Sequence, residues 1–236
     1  VGGCARSEVR SRRHARALRA AGGEIYFHAG VTAIAHDGSD WIVDTAGESY
    51  AARIVVNAAG AWADELAAMA GVRPLGLIPL RRTIIGFDPP QGLDVSEWPF
   101  LKTVYDDGFY LLPDSGRLLA SPMDVTPSPA CDVQPEDYEM ALAAWRVEEA
   151  TTLSVDRIAL KWAGLRSFVA DKVPTAGFAA DAPGFFWLAG QGGYGLQTSP
   201  AMALAAEALL FDLPWPELLR EHGVEPHQIR PERLHI

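Results

Sequence analysis

The chain holds 236 residues, 49% hydrophobic and 21% charged, an ordinary globular composition that excludes intrinsic disorder and collagen-like repeats. Thirty acids against twenty bases leave a formal charge of −10, which disfavours a nucleic-acid partner because phosphate binding needs a basic face. No apolar run approaches the ~18 residues of a membrane span, and Cys4 and Cys131, far apart in sequence, form neither a CxxC pair nor a disulfide framework, so a cytoplasmic setting is expected.

The chain opens with Arg6, Arg10, Arg12, Arg13, Arg16 and Arg19. They read as an exposed helix face that stops at Ala20-Ala21-Gly22-Gly23, where glycine ends a helix. A transit peptide is the alternative for such an arginine-rich, acid-poor start, and the lack of an apolar block excludes a secretory signal. From Glu24 the pattern turns to short strands: Ile25 to Phe27, an alternating Val31 to His36, an Asp37-Gly38 turn, Trp41 to Val43, and Tyr50 to Arg53. Ile54 to Gly60 reads as a strand buried on both faces, opening into a helix over Ala61 to Ala70 that Gly71 closes.

Between Val72 and Ser154 prolines punctuate strand-like pieces at Thr83 to Phe87, Phe100 to Tyr105, Phe109 to Leu112 and Leu118 to Ser121. A helix is predicted from Pro135 to Thr152, with Ala141, Leu142, Trp145 and Glu149 facing a sheet. Buried-strand character returns at Ile158 to Ala163 and at Phe185 to Ala189, followed by a helix from Thr198 to Phe211. The fold class is therefore α/β with an α+β insertion. Three segments are expected: residues 1–71, residues 72–154 as a substrate domain, and residues 155–236.

Gly190, Gly192 and Gly195 match G-x-G-x-x-G between a strand and a helix. A dinucleotide fingerprint also needs a second strand ending in an acid about 20 residues on, and Asp212 lies in Phe211-Asp212-Leu213-Pro214, which is no strand. The loop is read instead as bare N–H groups at a helix start that suit an anionic ligand edge, such as the N1–C2=O edge of a reduced flavin. Arg82 and Arg166 are candidate carboxylate forks, with Tyr110 beside them, because a planar guanidinium takes a carboxylate through two parallel hydrogen bonds. The histidines show no HExxH spacing, and Gly47-Glu48-Ser49-Tyr50-Ala51 lacks the final glycine of a nucleophile elbow.

Val55-Val56-Asn57-Ala58-Ala59-Gly60-Ala61-Trp62 resembles a segment of the D-amino acid oxidase superfamily of FAD-dependent oxidoreductases. Trp162 to Phe168 with Asp171 and Pro174, and the loop Gly190 to Thr198, resemble two further blocks of that superfamily. Phe109 to Asp114, Leu119 to Pro122, Glu148 to Leu153 and Gln191 to Thr198 are similar to its D-arginine dehydrogenase branch. The resemblance implies an FAD-binding Rossmann-like domain with an inserted mixed-sheet substrate domain. It implies that Arg82, Tyr110 and Arg166 bind a substrate carboxylate, that the Gly193 carbonyl accepts from the amine, and that Gln197 lies beside them. FAD would meet Val31, Ala59, Gly60, Gly192, Gly193, Tyr194, Gly195, Leu196 and Gln197. The implied reaction is oxidative deamination of a D-amino acid, with no catalytic side chain assigned, since the chemistry belongs to the cofactor. The family's opening βαβ unit has no match here, so the chain is expected to be the C-terminal part of such an enzyme. A sheet edge left exposed would then favour self-association. An inactive fragment acting through another chain, and a glycine or sarcosine oxidase-like activity, are the alternatives.

Overall fold

The computed structural model describes residues 3–105 and 108–234, with side chains from residue 11 onward. Cys4, Arg6 and Arg10 have side chains outside that description, as does His235 as a whole. In chain order the elements are helix α1 (Gly3–Ala20), strands β1 (Val31–His36), β2 (Trp41–Thr45), β3 (Ser49–Ala52) and β4 (Val55–Asn57), and helix α2 (Ala63–Met69). Next come β5 (Ile78–Phe87), β6 (Leu101–Lys102), β7 (Tyr110–Asp114), β8 (Arg117–Ser121), β9 (Thr126–Pro127) and α3 (Asp137–Ala150). The chain closes with β10 (Leu160–Phe168), β11 (Thr175–Phe178), β12 (Phe185–Ala189), α4 (Gly195–Leu210) and α5 (Glu217–Glu221).

Two compact units form, Val1–Ile25 with Arg81–Leu165, and Tyr26–Leu80 with Arg166–Ile236. The chain changes unit inside β5 and inside β10. A further change at 25/26 groups α1 with the middle of the chain, and the other two fall at 80/81 and 165/166, inside strands, where the sequence segments were set at 71/72 and 154/155.

In the first unit, a sheet ordered β10-β5-β8-β7-β6, with β9 paired to β5, carries α3. Ile85, Phe87, Leu111, Leu118 and Ala120 from the sheet pack with Met140, Ala143 and Val147 of α3. The buried stripe of α3 is therefore 140–143–147 and not Ala141, Leu142, Trp145 and Glu149. Ala143 lets the helix lie close on the sheet, whereas Trp145 is 56% exposed. The strand expected over Phe100 to Tyr105 shortens to Leu101–Lys102. Thr103 turns the chain instead, its Oγ1 accepting from Phe109 N at 3.0 Å and donating to Phe109 O at 3.2 Å. Trp162 and the start of β10 are exposed rather than buried, since β10 is a sheet edge. Residues 11–20 of α1 are exposed apart from Ala15, and Gly22 (φ +86°) stops the helix, with Gly23 N donating to Leu18 O at 2.9 Å.

In the second unit, β1-β2-β3 form an antiparallel meander and β11-β12-β4 a mixed sheet, with β12 parallel to β4. Trp41, Phe185 and Trp187 anchor one buried cluster with Ile34, Ala63 and Ala67. Phe186 and Ala176 anchor another against Met202, Ala205 and Ala206 of α4. Ile25 to Phe27 forms no strand, because His28 adopts φ +57° and breaks the extended run; Tyr26 instead meets the Tyr50 ring at 5.1 Å. The apolar run at Ile54 is covered on one face only. β4 is an edge among the described residues, and Val56 is 43% exposed.

Candidate functional site

Adjacent strand residues point to opposite faces, and the Arg81-Arg82 pair of β5 uses this. Arg81 pairs with Glu136 and, at 2.8 Å, with Glu139, both at the start of α3. The Glu136 bond raises the Arg81 pKa, and Arg81 in turn holds the Glu136 carboxyl below its usual range. Arg82 takes other partners. Its Nε donates to the Asp124 main-chain oxygen at 3.0 Å and lies 3.5 Å from Asp124 Oδ1. Its Cζ stands 5.8 Å from the centroid of the Tyr110 ring, the distance of a cation–π contact. Neither Nη of Arg82 makes a hydrogen bond among the described residues. Tyr110 is set by its register opposite Ser121 of β8 and Lys102 of β6, and its ring meets Phe100 at 5.5 Å.

Asp124, which sequence reasoning missed, closes this corner. Its carboxylate accepts from Thr83 N at 2.9 and 3.0 Å and from Thr83 Oγ1 at 3.1 Å, and its side chain is 5% exposed. Burial pushes its pKa up, against the downward pull of the Thr83 bonds and Arg82. The only trace in sequence is an acid in the loop between Pro122 and Thr126, which carries no spacing signal.

The glycine loop lies in the second unit. Gly192 adopts φ +55° and donates to Ser167 O at 2.9 Å, and a Cβ there would fall 2.6 Å from Phe168 Cε1. A Cβ on Gly193 would fall 3.2 Å from Arg166 Cδ. The Phe168 ring backs Arg166, whose Cζ lies 5.5 Å from its centroid. Glycine is needed here because the loop runs against the arginine that precedes it by a strand end. Helix α4 starts at Gly195, with the Tyr194 carbonyl accepting from Gln197 N at 2.9 Å and Thr198 N at 3.0 Å. The N–H groups of Gly193, Gly195 and Leu196 hold no hydrogen bond among the described residues. Pro200 supplies no N–H to Leu196 O, and Ser199 Oγ donates to it at 3.1 Å instead. Tyr194, Leu196 and Gln197 are exposed.

Of the remaining expected contacts, Val31 lies at a β-bulge in β1, and both it and Ala59 pack on the cluster around Trp41. Gly60 starts a 3-10 turn with φ +59°. Asn57 ties strand to helix, donating from Nδ2 to Ala63 O at 2.8 Å. Asp171 of the second family block accepts from Arg233 Nε at 2.7 Å, and Arg233 also donates to Val173 O at 2.6 Å, fastening the last segment of the chain. Arg82 thus meets Tyr110 within the first unit, and Arg166 meets Gly193 within the second.

The sequence profile of the FAD dependent oxidoreductases (DAO) matches residues 5–209, and the chain belongs to that family. Glycine oxidase of Geobacillus kaustophilus (strain HTA426) is 29% identical over 204 residues, 83% of this chain and 50% of that protein. The crystal structure of glycine oxidase from Geobacillus kaustophilus superposes with a TM-score of 0.68 at 26% identity, over 84% of this chain and 52% of the other. L-proline dehydrogenase from P. horikoshii gives a TM-score of 0.70 at 20% identity, covering 87% of this chain and 57% of its own; at that identity the likeness speaks for the fold. The chain spans about half the length of the curated relative it matches.

FAD is the family's cofactor, and the loop fits it chemically. Three N–H groups at and just before the start of a helix, without a hydrogen bond among the described residues and beside an arginine held against Gly193, suit the electron-rich edge of a flavin.

Proposed function

We propose that this chain serves FAD-dependent oxidative deamination of an α-amino acid. The observation that carries the reading is Arg82, pinned through Nε, stacked by Tyr110, and with both Nη groups open. When bound, FAD supplies the two-electron acceptor for the hydride leaving the substrate α-carbon. The chain supplies orientation. Arg82 and Tyr110 take the carboxylate, which fixes the α-carbon, and the family resemblance assigns Arg166 to the same group. The Gly193 carbonyl accepts a hydrogen bond from the amine and helps present it for oxidation. The N–H groups of Gly193, Gly195 and Leu196 hold the flavin edge, with Val31, Ala59, Gly60, Gly192, Tyr194 and Gln197 as further contacts. The substrate leaves as an imino acid, which takes up water and releases ammonia to give a 2-oxo acid.

D-arginine is the first substrate assignment, supported by the likeness of Phe109 to Asp114 and Gln191 to Thr198 to the D-arginine dehydrogenase branch. Glycine or sarcosine is the second reading, supported by the 29% identity to a glycine oxidase. The test is to load the protein with FAD, remove oxygen, and add D-arginine, glycine or sarcosine in turn. Bleaching of the bound flavin by D-arginine, with reoxidation by an artificial acceptor, is the expected result. Bleaching by glycine or sarcosine with oxygen uptake selects the second reading. A loaded protein that none of these reduces overturns the amino-acid assignment, and a chain that retains no FAD points to a fragment acting with another chain.

A further inference from the structure

Arg82 can present its outer edge to a carboxylate only if its inner edge is held. A guanidinium on a long side chain otherwise spreads over several rotamers and loses that freedom on binding. The grip on its inner edge comes from the loop after β8, and that loop is itself locked. Met123 N donates to the buried Ser121 Oγ at 3.2 Å, and Met123 adopts φ +57°, a conformation that a non-glycine residue keeps only when its surroundings enforce it. One residue on, the Asp124 carboxylate accepts both the backbone N–H and the hydroxyl of Thr83, the residue after Arg82.

We propose that Asp124 is the positioning residue for Arg82. Its side chain clamps Thr83 to the loop, its own main-chain carbonyl takes the Arg82 Nε–H, and the Nη edge is thereby left for the substrate carboxylate. The assignment rests on the amino-acid reading above for its last clause only. A carboxylate with a side chain 5% exposed is costly to keep without a use. Here it supports two donors of β5, and its charge lies near the arginine it orients. Asparagine at 124 keeps the clamp, with its oxygen accepting from Thr83 N and its amide donating to Thr83 Oγ1. Alanine removes it. The role is therefore geometric, and the two substitutions separate it from charge.

The test measures hydrogen exchange of arginine Nε–H groups by NMR on the full chain, with the Arg82 signal assigned by its loss in Arg82→Lys. The expected result is a protected Arg82 Nε–H in the native protein and in Asp124→Asn, and exchange about tenfold faster in Asp124→Ala, the scale of one lost charge-assisted hydrogen bond. An Arg82 signal that exchanges as fast as exposed Arg53 in the native protein overturns the proposal, whether or not Asp124→Ala folds. Equal protection in Asp124→Ala overturns it too. In the FAD-loaded enzyme, Asp124→Ala raises the amino-acid KM about tenfold with kcat little changed, and Asp124→Asn stays close to native. If Arg82→Lys leaves KM unaltered, the carboxylate assignment fails, and the exchange measurement still decides the positioning claim.

Discussion

Arg82 and Arg81 are neighbours of the same type with opposite duties. The first keeps both Nη groups open beside Tyr110, and the second spends both of its Nη groups on Glu136 and Glu139. The difference sets a prediction at the residue scale. Arg82→Lys keeps the charge and loses the planar fork, so the amino-acid KM rises about tenfold while kcat holds. Steady-state kinetics of the FAD-loaded protein checks this, and an unchanged KM removes Arg82 from the carboxylate site.

At the scale of elements, two ion pairs join distant segments and differ in kind. Arg81 and Glu139 are buried, with side chains 9% and 8% exposed, and they tie β5 to α3. Arg81→Ala leaves Glu139 without its cation and is expected to cost about 3 kcal/mol in urea unfolding. The double change Arg81→Met with Glu139→Leu recovers most of that loss, because an apolar pair carries no desolvation cost. The Asp171–Arg233 pair is more open, with the Asp171 side chain 40% exposed. Arg233 beside it holds the Asp171 carboxyl below its ordinary value of 3.8. Folded Asp171 therefore gives up its proton more readily than unfolded Asp171. Its contribution is present above the unfolded value and fades as pH falls through the lower folded one. Melting temperatures followed from about pH 5 downward are expected to show this slope, and Asp171→Asn flattens it.

For the molecule as a whole, the free edge of β4 sets the remaining expectation. Val56 is 43% exposed on a strand that pairs on one side only among the described residues, which offers backbone groups to another strand. The chain is expected to self-associate there. Light scattering after size exclusion tests it: Val56→Lys shifts the population to monomer, and a native chain that is monomeric throughout rejects it. The family blocks, the glycine loop, the strand Phe185 to Ala189 and the helix stops at Gly22 and Gly71 were legible in the residues alone. Each is a local demand, a backbone conformation only glycine adopts readily or an unbroken apolar run, and such demands are written where they act. The buried face of α3, the separate duties of Arg81 and Arg82, and the role of Asp124 came only with the folded chain. Those depend on partners far along the sequence, 41 to 58 residues for the side chains that grip Arg81 and Thr83, and no local pattern records which distant side chain a strand will meet.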